Sequence, residues 1–83
     1  MYKYYYNGFR VDRPDGTQIY YTIQTRPFNS RPYALYVNGD QSSIKTYINR
    51  GALVNAVKRL AIDIKHNCPS YIITDICGAE KIR

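Results

Sequence analysis

Hydrophobic and polar residues alternate through the first half of the chain and recur at helical spacing in part of the second. Between residues 17 and 25 the alternation is strict. Ile19, Tyr21 and Ile23 fall on one side, and Gln18, Tyr20, Thr22 and Gln24 on the other, the period-two signature of a half-buried antiparallel strand. Tyr33–Val37 repeats the pattern, with Tyr33, Leu35 and Val37 on one face. The β-prone runs Tyr2–Tyr6 and Phe9–Arg13 flank Asn7-Gly8, and because both residues tolerate positive φ this dipeptide predicts a type I′ hairpin turn. Pro14-Asp15-Gly16 and Asn38-Gly39-Asp40 predict two further turns, and Arg26–Pro32, with a proline near each end, an irregular loop. Ile44–Ile48 predicts one more short strand, with Ile44, Thr46 and Ile48 opposed to Lys45 and Tyr47.

One helix follows. Leu53, Val54, Val57, Leu60, Ala61 and Ile64 form an apolar stripe roughly 120° wide at about 100° per residue. Asn49 is placed to cap its N-terminus, and Asn67 followed by Cys68-Pro69 to stop it. The β-branched run Tyr71–Ile76 predicts a last strand, and Ala79–Arg83 a frayed tail. A single amphipathic helix has only a sheet to cover. The expected fold is therefore α+β, an antiparallel sheet of four to five strands with one helix across one face, in the order β-β-β-β-α-β, as a single domain over 1–83. Phe9, Val11, Ile19, Tyr21, Ile23, Leu35, Val37, Ile44 and Ile48 are expected to face the helix. The opposite face would then carry Arg10, Tyr20, Thr22, Tyr36, Lys45 and Tyr47.

Length and charge narrow the function. With 83 residues the core must be thin, which excludes two-domain enzymes and (β/α)8 barrels. Ten tyrosines stand against two phenylalanines and no tryptophan, and 12 Lys and Arg against six acidic residues give a net charge of +6. Such a surplus attracts polyanions: nucleic acid, an acidic protein surface or an anionic membrane. The cations are spread from Lys3 to Arg83 with no run of five or six, so no polybasic membrane tag is indicated. Ala52–Ile64 carries Asn55, Lys58, Arg59 and Asp63 and cannot span a bilayer. The first residues lack the apolar core of a secretory leader, and Cys68 and Cys77 read as free thiols, so a cytoplasmic protein is expected.

Catalytic chemistry is hard to place. His66 is the only histidine, and its spacing to Cys68 and Cys77 is not that of a structural zinc site. No phosphate-binding glycine loop or nucleophile elbow is present. A non-enzymatic protein with no metal or cofactor is expected. The binding candidates are Arg10, Tyr20, Tyr36, Lys45 and Tyr47 on the outer sheet face, with Arg26, Phe28 and Arg31 on the loop. Rings between cations suit single-stranded nucleic acid, because bases stack on the rings while the charges follow the phosphates. The same residues suit a protein hot spot, and tyrosine is also an ordinary strand residue that covers half-exposed surface. In type of surface the sheet resembles the RNA-binding sheet of the RRM family, without that family's aromatic submotifs or βαββαβ order. In size, charge and lack of catalytic residues the chain resembles small proteins of phages and mobile elements, including anti-CRISPR inhibitors. Two readings follow: a module that binds nucleic acid, or acts beside it on a nucleic-acid-handling complex, and a stoichiometric inhibitor that binds and blocks a host defence effector. A homo-oligomer joined through an exposed sheet edge is a third option.

Overall fold

The computed structural model describes residues 1–42 and 44–82. Five strands, β1 (Tyr2–Asp12), β2 (Gln18–Thr25), β3 (Tyr33–Val37), β4 (Asp40–Gln41) and β5 (Ile72–Lys81), and one helix, α1 (Arg50–Asn67), follow the order β-β-β-β-α-β. The sheet is antiparallel with strand order β4-β3-β2-β1-β5, so the last strand crosses over to pair with the first. The fold is α+β, with the helix laid on one face.

The alternation places most of the core as expected. Val37, expected to face the helix, instead lies outside the core cluster at the end of β3, where the chain enters the Asn38-Gly39 turn, and Ala34 is buried from the other side of that strand. Phe9, Val11, Ile23 and Leu35 from the sheet meet Leu53 and Val57 from the helix, all buried, with Ile19, Tyr21, Ile44, Val54, Leu60, Ala61 and Ile64 packed around them. Phe9 and Tyr21, partners across β1 and β2, stack with ring centroids 4.6 Å apart. The helix begins at its expected cap: Asn49 Oδ1 accepts from the Gly51 N–H at 2.7 Å. It ends before Cys68, whose N–H closes the last turn on the Ile64 carbonyl at 2.8 Å.

Three further expectations are corrected. Asn7-Gly8 is not a hairpin turn. Tyr2–Asp12 is one 11-residue strand, and the dipeptide lies at a register shift where Tyr6 pairs with Cys77 but Phe9 with Asp75. Three residue steps in β1 oppose two in β5, the signature of a β-bulge. Gly8 supplies its positive φ of +119°, and a Cβ there would lie 1.9 Å from the Tyr21 carbonyl oxygen. The true type I′ position is Asn38-Gly39, with φ of +52° and +90° between β3 and β4. Second, Ile44–Ile48 forms no strand. A single bridge joins Tyr47 to Tyr33, and Ile48, expected in the core, is 66% exposed. Third, the segment from Ala79 does not fray: β5 runs to Lys81, pairing with Tyr2, while Arg83 lies outside the described residues.

The bulge has an architectural consequence. Pairing of β1 with β2 stops at Gly8–Thr22, although β2 continues to Thr25 and β1 back to Tyr2. Tyr2–Tyr6 and Cys77–Lys81 thus form a two-stranded ribbon that leaves the main sheet. The radius of gyration is 13.6 Å, against roughly 12 Å for a compact chain of this length, as a projecting ribbon requires.

Candidate nucleic-acid interface

The outer sheet face brings Arg10, Tyr20 and Tyr36 together as expected, since Arg10 pairs with Tyr20 across β1 and β2, and Tyr36 with Thr22 across β2 and β3. Its charge is spent locally. Arg10 Nε lies 3.1 Å from Asp12 Oδ2. Gln18 Nε2 donates to the other Asp12 oxygen at 2.9 Å, and the Tyr20 hydroxyl donates to Gln18 Oε1 at 3.1 Å. Arg10 and Asp12 are two residues apart on a strand, so the period of two put them on one face from the start.

Lys45 and Tyr47 are not on that face. With no strand at Ile44–Ile48 to set an alternation, Tyr47 turns in against the core cluster beside α1, with the Lys45 ammonium 5.8 Å from its ring centroid. On the loop, Arg26 is a brace. Its guanidinium donates to Gln41 Oε1 at 3.1 Å and to the Arg31 carbonyl at 2.9 Å. Phe28, at the tip, is fully exposed and adopts φ of +65°, a conformation that bulky residues rarely take. Arg31 is exposed on the same loop.

Cations with no salt bridge among the described residues gather instead on the helix side. The Arg50 guanidinium lies 5.1 Å from the Tyr5 ring centroid and donates to the Tyr6 carbonyl. Lys58 lies 5.1 Å from the ring centroid of Tyr6. These are cation–π distances. Arg59, Lys65 and His66 are exposed along the same helix, opposed on it by Asp63 alone. Alternation along the ribbon puts Tyr2 and Tyr4, both exposed, on the face that carries Tyr6 and hence Lys58. Between ribbon, β2 and the start of α1 lies an open cleft of about 570 Å³ whose lining includes Lys3, Tyr5, Thr25 and Arg50, with Glu80, the partner of Lys3 across β1 and β5, as its one acid. The sequence held this signal in Tyr2, Tyr4 and Tyr6, spaced by two. It was obscured because Asn7-Gly8 reads as a turn, and because Lys58 reads as a side chain merely covering the core edge.

Tyr6 is the most perturbed group of this region. Burial, and secondarily the Asp75 carboxylate, push its hydroxyl up to about 12. Its oxygen is buried with no hydrogen-bond partner among the described residues. Tyr6 is therefore neutral at physiological pH, and its ring offers Lys58 an apolar, electron-rich face rather than a charge.

No protein-family model matches the chain, and neither a curated protein nor a solved structure does. Among the described residues no helix is long and apolar enough to cross a membrane.

Proposed function

We propose that this protein is a non-enzymatic module that binds single-stranded nucleic acid through the ribbon and the adjoining flank of α1, rather than through the outer sheet face. What carries the reading is the contrast in charge. Arg10 on the outer face is paired with Asp12, whereas Arg50 stands over Tyr5 and Lys58 over Tyr6, and among the described residues no carboxylate is salt-bridged to either. Tyr2 and Tyr4 recur about every 7 Å along the strand, on the face that carries Tyr6 and Lys58, so successive bases stack on them while Lys58 meets phosphate. A nucleic-acid strand that wraps the ribbon edge reaches Lys3 and Arg50 on the other face. The test is a fluorescence-anisotropy titration with a labelled single-stranded oligonucleotide. Tyr4→Ala should weaken binding by about 1–3 kcal/mol, and Lys58→Ala should weaken it as well, whereas Arg10→Ala should leave it near wild type. Equal losses from Arg10→Ala and Lys58→Ala would return the site to the outer face.

A second reading, a stoichiometric inhibitor of a nucleic-acid-handling effector, is favoured by Phe28. A fully exposed aromatic ring on a loop braced by Arg26 is pre-organised as an anchor for a protein pocket. Copurification with a single protein partner, with binding lost in Phe28→Ala and no competition by oligonucleotide, would select it.

A further inference from the structure

We propose that the protein associates with a second copy of itself through the free edge of β5, extending the five-stranded sheet into a continuous one of twice the size. The two sheet edges are built differently. One ends in β4, only two residues long. The other is β5, ten residues with no proline, paired on its inner side with β1 and on its outer side with nothing among the described residues. The bulge that would blunt it lies in β1, on the paired side. Short strands, prolines and bulges are the usual protections of an edge, and a long strand without them is a template for another strand.

The surface beside this edge is apolar. Ile62 of α1 and Ile72 of β5 are 68% and 62% exposed. With Ala61 and Ile73 they line a groove of about 560 Å³ whose polar members are Lys65 and His66.

A second copy answers this surface by symmetry. An antiparallel pairing of β5 with itself, two-fold about Thr74, sets Ile72 opposite Ile76 of the second copy and Thr74 opposite its own equivalent, a ladder of β-branched pairs. On the helix-facing side it sets Ile73 opposite Asp75 of the second copy. That carboxylate then stands at the mouth of the groove that holds His66 and Lys65, whose ammonium donates to the Pro69 and Tyr71 carbonyls at 2.8 and 2.7 Å and keeps its positive charge there. The one charge in the middle of the edge meets opposite charge, and a foreign strand would have to supply the same acid and the same isoleucines at the same spacing. The two-fold axis runs perpendicular to the sheet, so both helices lie on one face.

Sedimentation velocity of the full chain, from micromolar to millimolar concentration, tests this directly. The mass should rise with concentration from 9.7 kDa to twice that value. Ile62→Glu combined with Ile72→Glu, both at exposed positions, sets like charge against Asp75 of the second copy, and should keep the far-ultraviolet circular dichroism of the wild type and remain monomeric. In a Cys68→Ser, Cys77→Ser background, Thr74→Cys should form an intermolecular disulfide on oxidation, since directly paired strand residues lie within disulfide range. A wild-type chain that stays monomeric throughout, or a dimer that survives this double substitution, overturns the proposal. A dimer in which Thr74→Cys fails to cross-link overturns the register.

Discussion

Replacing Gly8 by alanine is the sharpest test of the bulge that organises this fold. Two separate penalties meet at the position. Its φ of +119° is one that residues with a Cβ rarely adopt, and holding such a conformation costs about 1–3 kcal/mol. The added Cβ would also sit 1.9 Å from the backbone oxygen of Tyr21, where contacts under 3.0 Å are essentially never seen, so β1 and β2 must separate by more than 1 Å. That separation strains the ladder at Gly8–Thr22 and Phe9–Tyr21 and parts the Phe9–Tyr21 stack. One or two ladder bonds at roughly 0.5–1.5 kcal/mol each, with a similar loss from the stack, bring the total to about 2–7 kcal/mol. A domain of this length has only about 4–12 kcal/mol to lose. Gly16→Ala is the control. Its φ is +89° but nothing lies within 4 Å of the added Cβ, so it should cost only the conformational part, about 1–2 kcal/mol. Urea unfolding followed by circular dichroism measures both. If Gly8→Ala falls within about 1 kcal/mol of Gly16→Ala, the bulge does not hold the strands as described.

Other substitutions examine the remaining parts. Tyr6→Phe removes a buried hydroxyl with no partner and should leave stability unchanged or raised by about 1 kcal/mol in thermal melts. Because the folded state holds the Tyr6 proton beyond the ordinary 10.0, up to about 12, wild-type stability should fall as pH rises through that interval. Tyr6→Phe should lose part of that fall and keep the smaller share from Tyr21, which burial also raises. Asn49→Ala deletes the helix cap and should cost about 1 kcal/mol by chemical denaturation. Leu53→Ala opens a cavity at a fully buried position and should cost about 2–5 kcal/mol in the same assay.

Elements governed by local chemistry were legible in the chain. The α1 stripe, its Asn49 cap and the alternation of β2 and β3 each follow from a short window of sequence, and each stands where that window puts it. The two Asn-Gly dipeptides show where such windows stop. Asn38-Gly39 turns, with the Asn38 side chain accepting from the Tyr20 N–H at 2.9 Å. Asn7-Gly8 has the same local preference, but β5, some 70 residues later, zips along both halves of β1 and holds the strand open. The phase change from Tyr2, Tyr4, Tyr6 to Phe9, Val11 fits a bulge as well as a turn, and only the distant partner decides between them. The same partner keeps Ala79–Lys81 from fraying. At the binding surfaces the period of two correctly grouped Arg10, Tyr20 and Tyr36, yet it also placed Asp12 beside Arg10, and that pairing removes the charge the grouping was meant to supply. Arg50 and Lys58 reach Tyr5 and Tyr6 across 45 and 52 positions of chain, a proximity that exists only after the helix has docked.

The salt dependence of oligonucleotide binding tests the central proposal most directly. Each phosphate neutralised on a single strand contributes a slope near ~0.7 in the logarithm of affinity against the logarithm of salt. Contacts from Lys3, Arg50 and Lys58 therefore predict a slope of roughly 2 for the wild type, reduced by about 0.7 in Lys58→Ala and unchanged in Tyr4→Ala and Arg10→Ala. A flat salt response, or no binding to oligonucleotide even at low salt, would contradict the nucleic-acid reading and leave the Phe28 loop as the surface to pursue.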